Sequence, residues 1–131
     1  MKLITKQTDY AVRALGYLSG RGDTFISSSE IARAENIPAS FLRRIMQVLI
    51  KAGIVAAREG KNGGVRLAVN PATVRMIQLI ELFQGKIELS DCMVRKDICP
   101  NRRTCALRTK IQQAERRLFQ DIGKTRLSEL I

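Results

Sequence analysis

Apolar residues recur at three- and four-residue spacing between Lys6 and Leu18, where Tyr10, Ala11, Ala14, Leu15 and Leu18 form one stripe. That period predicts an amphipathic helix, and Gly20-Arg21-Gly22-Asp23 ends it. Ser27 followed three residues later by Glu30 is a capping-box pattern. A short helix is predicted next, with Ile31, Ala32 and Ala34 partly buried. Asn36-Ile37 breaks it, and Pro38 suits the first turn of another helix, where a missing N–H costs nothing. This helix is expected to reach about Lys51 on a core stripe of Phe41, Leu42, Ile45, Val48 and Leu49, with Gly53 as its stop. The pattern then changes period. Two β-capable runs, 54–57 and 65–69, flank a glycine-rich basic loop, the signature of a hairpin. Arg75 to Gln84 is apolar enough for a buried helix closed by Gly85. Residues 86–104 read as irregular. A longer helix is expected from about Thr104 to Asp121, with an apolar seam of Ala106, Leu107, Ile111, Ala114, Leu118, Phe119 and Ile122. Thr125 to Ile131 could add one more turn.

The predicted fold is therefore mostly α with a small β-hairpin. Helix, short helix, turn, helix and hairpin within about seventy residues is the order of a winged helix-turn-helix. An α-helix fits the DNA major groove, and a basic hairpin loop can reach phosphates or the minor groove. On the second helix of the pair, Ser40, Arg43, Arg44 and Gln47 fall on the polar face. Arginine can bond guanine bidentately and glutamine can bond adenine. In the hairpin loop the candidates are Arg58, Lys61 and Asn62. A solvated helix face and a tight turn would explain the same residues in isolation, but composition tips the balance. The 131 residues carry 23 basic against 12 acidic side chains, a net charge of +11, which favours polyanionic partners. Absence of tryptophan and only 5% aromatics argue against a protein that stacks single-stranded bases.

Other classes are excluded or weakened in turn. Histidine is absent, which removes the commonest general base and every histidine-based metal site. No phosphate-binding loop follows a strand, so an enzyme is the weakest reading. The longest run without a charge, Leu67 to Val74, has eight residues, too short to cross a membrane. Asp9 and Arg13 interrupt any signal-peptide core. A cytoplasmic location is expected, where thiols stay reduced. Cys92, Cys99 and Cys105 lie within fourteen residues, among Arg95, Lys96, Arg102, Arg103 and Arg108. Three thiolates can reach one centre, and such soft ligands suit iron–sulfur clusters, zinc or Cu(I). The spacing lacks the C-x2-C of zinc ribbons, which disfavours a structural zinc site. Buried, unpaired cysteines and a thiol-oxidation sensor are the alternatives. A winged-helix protein that binds RNA, with structural cysteines, is another.

Taken in order, these segments resemble the Rrf2 family of bacterial transcription regulators, which includes IscR-like and NsrR-like branches. The likeness runs from Thr8-Asp9-Tyr10-Ala11-Val12-Arg13 through Ile37-Pro38-Ala39-Ser40-Phe41-Leu42 and Ala52-Gly53-Ile54-Val55. It continues in Gly60-Lys61-Asn62-Gly63-Gly64-Val65-Arg66-Leu67-Ala68 and ends on three cysteines before a long helix. The resemblance implies a homodimer that binds a pseudo-palindromic DNA operator, often as a repressor, with its long helix crossing to the partner. It also implies an iron–sulfur cluster on the cysteine trio that reports iron–sulfur status, redox state or nitric oxide. The implied division is a DNA-binding domain over 1–84, a cluster loop over 85–104, and a dimerisation helix and tail over 105–131. The fourth ligand separates the branches. Arg108 stands where IscR-like members have a histidine, and arginine cannot ligate. Asp9 occupies the position from which the NsrR-like partner subunit donates an aspartate. The implied site is thus Cys92, Cys99, Cys105 and the partner's Asp9, with [4Fe–4S] preferred to [2Fe–2S]. A helix-dipole acid, or a pair with Arg13 one turn on, is the other reading of Asp9. Two departures stand out: the first cysteine gap is one residue longer than usual, and Glu59 and Val65 replace the wing's usual arginine and tyrosine. Minor-groove reading then passes to Arg58 or Lys61.

Overall fold

The computed structural model describes residues 2–89 and 104–131. Helix α1 spans Lys6–Ser19, α2 Ser28–Glu35 and α3 Ala39–Lys51. Strands β1, Val55–Arg58, and β2, Gly64–Leu67, follow, then α4, Met76–Gln84, and α5, Ala106–Leu118. This is the predicted mostly helical winged helix-turn-helix. The buried residues form one core to which α1 contributes Ala11, Ala14, Leu15 and Leu18, the stripe its spacing requires. Helix α1 packs on α2, α3, α4 and β2, and so is the central element of the head.

The local chemistry explains where each element stops. Ser27 caps α2, its hydroxyl accepting from the Glu30 amide at 3.2 Å. The Glu30 carboxylate does not return the bond as a full capping box would; it accepts instead from the Tyr17 hydroxyl at 2.7 Å and ties α2 to α1. Asn36 closes α2 with φ 54, a left-handed conformation that asparagine tolerates. Pro38 lies one place earlier than expected, just before α3 rather than in its first turn. At the far end Gly53 adopts φ 80. Its amide donates to the Ile50 carbonyl and the Ile54 amide to the Leu49 carbonyl, both at 3.0 Å. That pair of bonds is a Schellman motif, so Gly53 stops α3 as its position predicted. Ala34 is exposed, not half-buried, and Met46 joins Leu42, Ile45 and Leu49 on the buried face of α3.

The hairpin is antiparallel, pairing Val55 with Leu67 and Arg58 with Gly64. A further bridge, Ile26 to Val65, with two bonds of 2.8 Å, fastens it to the segment before α2. Gly64 makes that contact possible. A Cβ there would stand 2.4 Å from the Ile26 carbonyl oxygen, and φ is +146.

The C-terminal segment returns to the head. After α5 a π-helical turn covers Phe119–Gly123, and a 3-10 turn covers Leu127–Glu129. The Leu127 side chain is fully buried in the main core. Its amide donates to the Val74 carbonyl at 2.7 Å, and the Met76 amide donates to the Thr125 carbonyl at 2.8 Å. By contrast, α5 buries none of its own residues: Leu107 is 68% exposed, and Phe119 just beyond it 44%.

Candidate nucleic-acid interface

Amphipathicity builds the first half of the site. Because Leu42, Ile45, Met46 and Leu49 anchor α3, positions 40, 43, 44 and 47 must face outward, one above another on the helical period. Ser40, Arg43, Arg44 and Gln47 are all exposed. The Arg44 guanidinium lies 5.4 Å from the centre of the Phe41 ring, within cation–π range. Phe41 in turn meets Tyr10 edge-on, with ring centres 5.4 Å apart. Arg44 is thereby oriented from beneath while its donors face solvent. The first turn of α3 holds no acidic residue to repel a phosphate.

The hairpin loop supplies the second half. Arg58, Lys61 and Asn62 are exposed at its tip. Arg58 donates to the Asn62 carbonyl at 2.6 Å, and Gly63 donates to the Gly60 carbonyl at 3.0 Å, so the loop is closed on itself. Gly63 is obligatory, since a Cβ there would sit 2.1 Å from the Arg58 carbonyl oxygen. Two residues outside the expected set join this corner: Phe25, and Arg66 on β2. Period-two alternation could have found Arg66. It faces Ala56, and so shares a sheet face with Arg58.

The sulfur side of the site is described in part. Cys92 and Cys99 lie outside the described residues. Cys105 is a free, half-buried thiol immediately before α5. Asp9 is exposed and meets Arg13 at 3.5 Å, the one-turn pairing that the sequence offered as its other reading. Arg13 is engaged more broadly. It donates to the Glu35 carbonyl, lies 3.6 Å from the Glu35 carboxylate and stacks 5.2 Å from the Tyr10 ring centre. Among the described residues no three potential ligands gather around one point.

Beneath Asp9 a polar clamp escaped the sequence reading. Gln84, the last residue of α4, accepts through Oε1 from the Thr8 hydroxyl at 2.9 Å and from the Thr5 amide at 3.1 Å. Its Nε2 donates to the Lys2 carbonyl at 3.1 Å. Thr8 is fully buried, the one polar side chain in the core among the described residues. A glutamine ending an apolar helix gives no periodic signal, so only the packed structure shows this role.

Comparison with known proteins agrees with this architecture. The family model Rrf2, described as an iron-dependent transcriptional regulator, matches residues 4–131. The protein aau3 of Rhizobium meliloti is 31% identical over 129 residues, covering 98% of this chain and 84% of that protein. The transcriptional repressor NsrR of Streptomyces coelicolor is 28% identical over 130 residues, covering 98% and 87%. The solved structure of T. potens IscR superimposes with a TM-score of 0.75 at 20% identity, covering 99% of this chain and 85% of that one.

Proposed function

The chain belongs to the Rrf2 family of transcriptional regulators, and from that premise we propose that it is a homodimeric DNA-binding regulator that senses its signal through a cysteine-bound iron–sulfur cluster. The family's members are transcription regulators rather than enzymes. The observation that carries the DNA reading is the outward face of α3, with Ser40, Arg43, Arg44 and Gln47 exposed on the second helix of the helix-turn-helix pair. The basic hairpin loop and a net charge of +11 support it.

The dimer reading rests on α5. A helix whose seam leaves Leu107 largely in water within one chain is the natural surface for a second copy. Cys92, Cys99 and Cys105 would hold the cluster, with Asp9 supplied by the partner subunit. Both described donors suit that role, because Cys105 is a free thiol and Asp9 has one loose ion pair to give up. When bound, the cluster supplies a centre whose loss or damage reports redox state, nitric oxide or iron–sulfur supply. The chain's part is mechanical. A carboxylate on α1 of one subunit and thiolates beside α5 of the other would join the DNA-binding head of one chain to the helix region of its partner. Releasing that joint changes the spacing of two recognition helices that must match half-sites about one helical turn apart. The shift is bounded by the cluster's differential affinity for the two states.

The test is anaerobic purification, with an absorption spectrum and counts of iron and acid-labile sulfide per dimer, followed by selection from a random duplex pool. Broad visible absorption with matching iron and sulfide is expected, and four of each per site would fix the four-iron form. Asp9→Ala is expected to leave the apo chain folded and the cluster labile. Arg44→Ala is expected to relax the selected sequence, at a cost of about 1–3 kcal/mol where it contacts a base. Colourless protein that resists reconstitution removes the cluster and leaves a winged-helix DNA binder. Preference for structured RNA over duplex removes the regulator reading.

A further inference from the structure

Phe25 precedes Ile26, whose bridge to Val65 holds this segment against β2. The ring is half-buried, yet Phe25 is absent from the hydrophobic residues that pack against the core among the described residues. Its partners are cations. The Arg58 guanidinium carbon lies 4.3 Å from the ring centre and that of Arg66 4.9 Å. Across the hairpin Arg58 pairs with Gly64 and Arg66 with Ala56, so the two arginines are diagonal neighbours on one face.

Both guanidinium groups sit within range of the ring's electrostatic attraction. They are also nearer each other than the roughly 10 Å over which 0.1 M salt screens charge. Holding two like charges this close primes the corner for an anion. In the free chain the anion is a poor one: Arg66 meets Asp23 at 3.7 Å, and the Asp23 side chain is 97% exposed. Lys61 adds a third cation to the same open cleft, about 510 Å³ in volume.

We propose that Phe25 is a positioning residue that holds Arg58 and Arg66 as a paired clamp for a DNA backbone phosphate, with Asp23 as the counter-ion that the phosphate displaces. The inference rests on the DNA-binding reading above. Planar guanidinium groups bond phosphate oxygens bidentately. A ring that holds them in place reduces the side-chain entropy lost when they bind. The contact is with the backbone, so it tightens binding to every sequence and leaves choice of sequence to α3.

The full chain is titrated against a fluorescein-labelled thirty-base-pair random duplex by anisotropy, from 50 to 300 mM KCl. Each lost phosphate contact lowers the slope of log affinity against log salt by about 0.9. Arg66→Ala is expected to lower it by about that amount per protomer engaged, with unchanged circular-dichroism melting. Phe25→Leu is expected to reproduce part of this loss, to shrink the further effect of Arg66→Ala, and to be rescued by Phe25→Tyr. Asp23→Asn is expected to raise affinity about two- to five-fold at the lowest salt, the scale of an exposed ion pair. Unchanged slopes in Arg66→Ala and Phe25→Leu, with wild type binding and Arg44→Ala altering sequence choice, overturn the clamp alone. A Phe25→Leu defect that tracks lost melting temperature and is not rescued by tyrosine overturns the positioning role. Loss of the Arg66-dependent binding to millimolar inorganic phosphate at constant ionic strength assigns the corner to a free anion instead. Absence of any duplex binding by wild type overturns the DNA reading itself.

Discussion

Replacing Gln84 with alanine tests the clamp that fixes the start of α1. The side chain accepts from the buried Thr8 hydroxyl and from the Thr5 amide, and donates to the Lys2 carbonyl. The Lys2 end is exposed, so water replaces that bond at little cost. The other two bonds face inward. A net hydrogen bond is worth about 1 kcal/mol, and a buried group left unsatisfied costs about 1–3 kcal/mol. With partial rescue of the Thr5 amide by water, Gln84→Ala is expected to destabilise the fold by about 2–3 kcal/mol. For a chain of this length that is a fall of about 7–11 °C in melting temperature. Circular-dichroism melts and urea titrations at one fixed protein concentration measure it, so that any dimer contributes equally to both variants. Gln84→Glu keeps both inward acceptor contacts and is expected to lose less than about 1 kcal/mol. Thr8→Val with Gln84→Ala completes a cycle whose coupling should be about 1 kcal/mol. A melting shift under about 2 °C, or strict additivity in the cycle, would refute the assignment of Gln84 as the clamp.

Three further outcomes follow from the same structure. Gly64→Ala puts a Cβ against the Ile26 carbonyl at φ +146 and is expected to cost about 2–4 kcal/mol; it should also release the hairpin, seen as new amide exchange at Val65 without loss of helix. Leu127→Ala empties a fully buried site in the head and is expected to cost about 2–5 kcal/mol by urea unfolding, whereas Leu130→Ala, half exposed, should cost little. Tyr17 donates to the Glu30 carboxylate, and that bond raises the phenol above its ordinary 10.0. The stabilisation is complete below pH 10 and lost as pH rises through the raised value. The stability difference between wild type and Tyr17→Phe should therefore narrow between pH 10 and 12, and a difference independent of pH in that window contradicts the bond.

What the sequence revealed and what it hid divide along periodicity. The stripes of α1 and α3 repeat often enough that burial on one side dictates exposure on the other, so Ser40, Arg43, Arg44 and Gln47 could be placed by counting. Gly53 was legible because a left-handed stop has few substitutes. Phe25 was not, because it sits in a short connection with no period to assign it a side. Arg66 was within reach of period-two alternation, which sets it on the face of Arg58 once its pairing with Ala56 is known. The Glu30 carboxylate followed a tertiary partner, Tyr17, over the local capping bond its position offered. Leu127 is a single leucine in a polar tail, and nothing near it in the sequence states that it belongs to a core whose other members end at Ile80, 47 residues earlier.

The burial of Leu127 also sets an order of manufacture. A ribosome delivers the chain from its first residue onward, and early segments fold as they emerge. Here the reading head cannot close on that schedule. Val74 and Met76 wait for partners on the 125–127 segment, which is made only after the cysteine-bearing stretch and α5. A nascent chain therefore has Cys92, Cys99 and Cys105 in place before Leu127 completes the core of the head. On the function proposed above, synthesis gives cluster loading a head start over DNA binding, and a product terminated before residue 127 leaves a gap in the head rather than a working half of the protein.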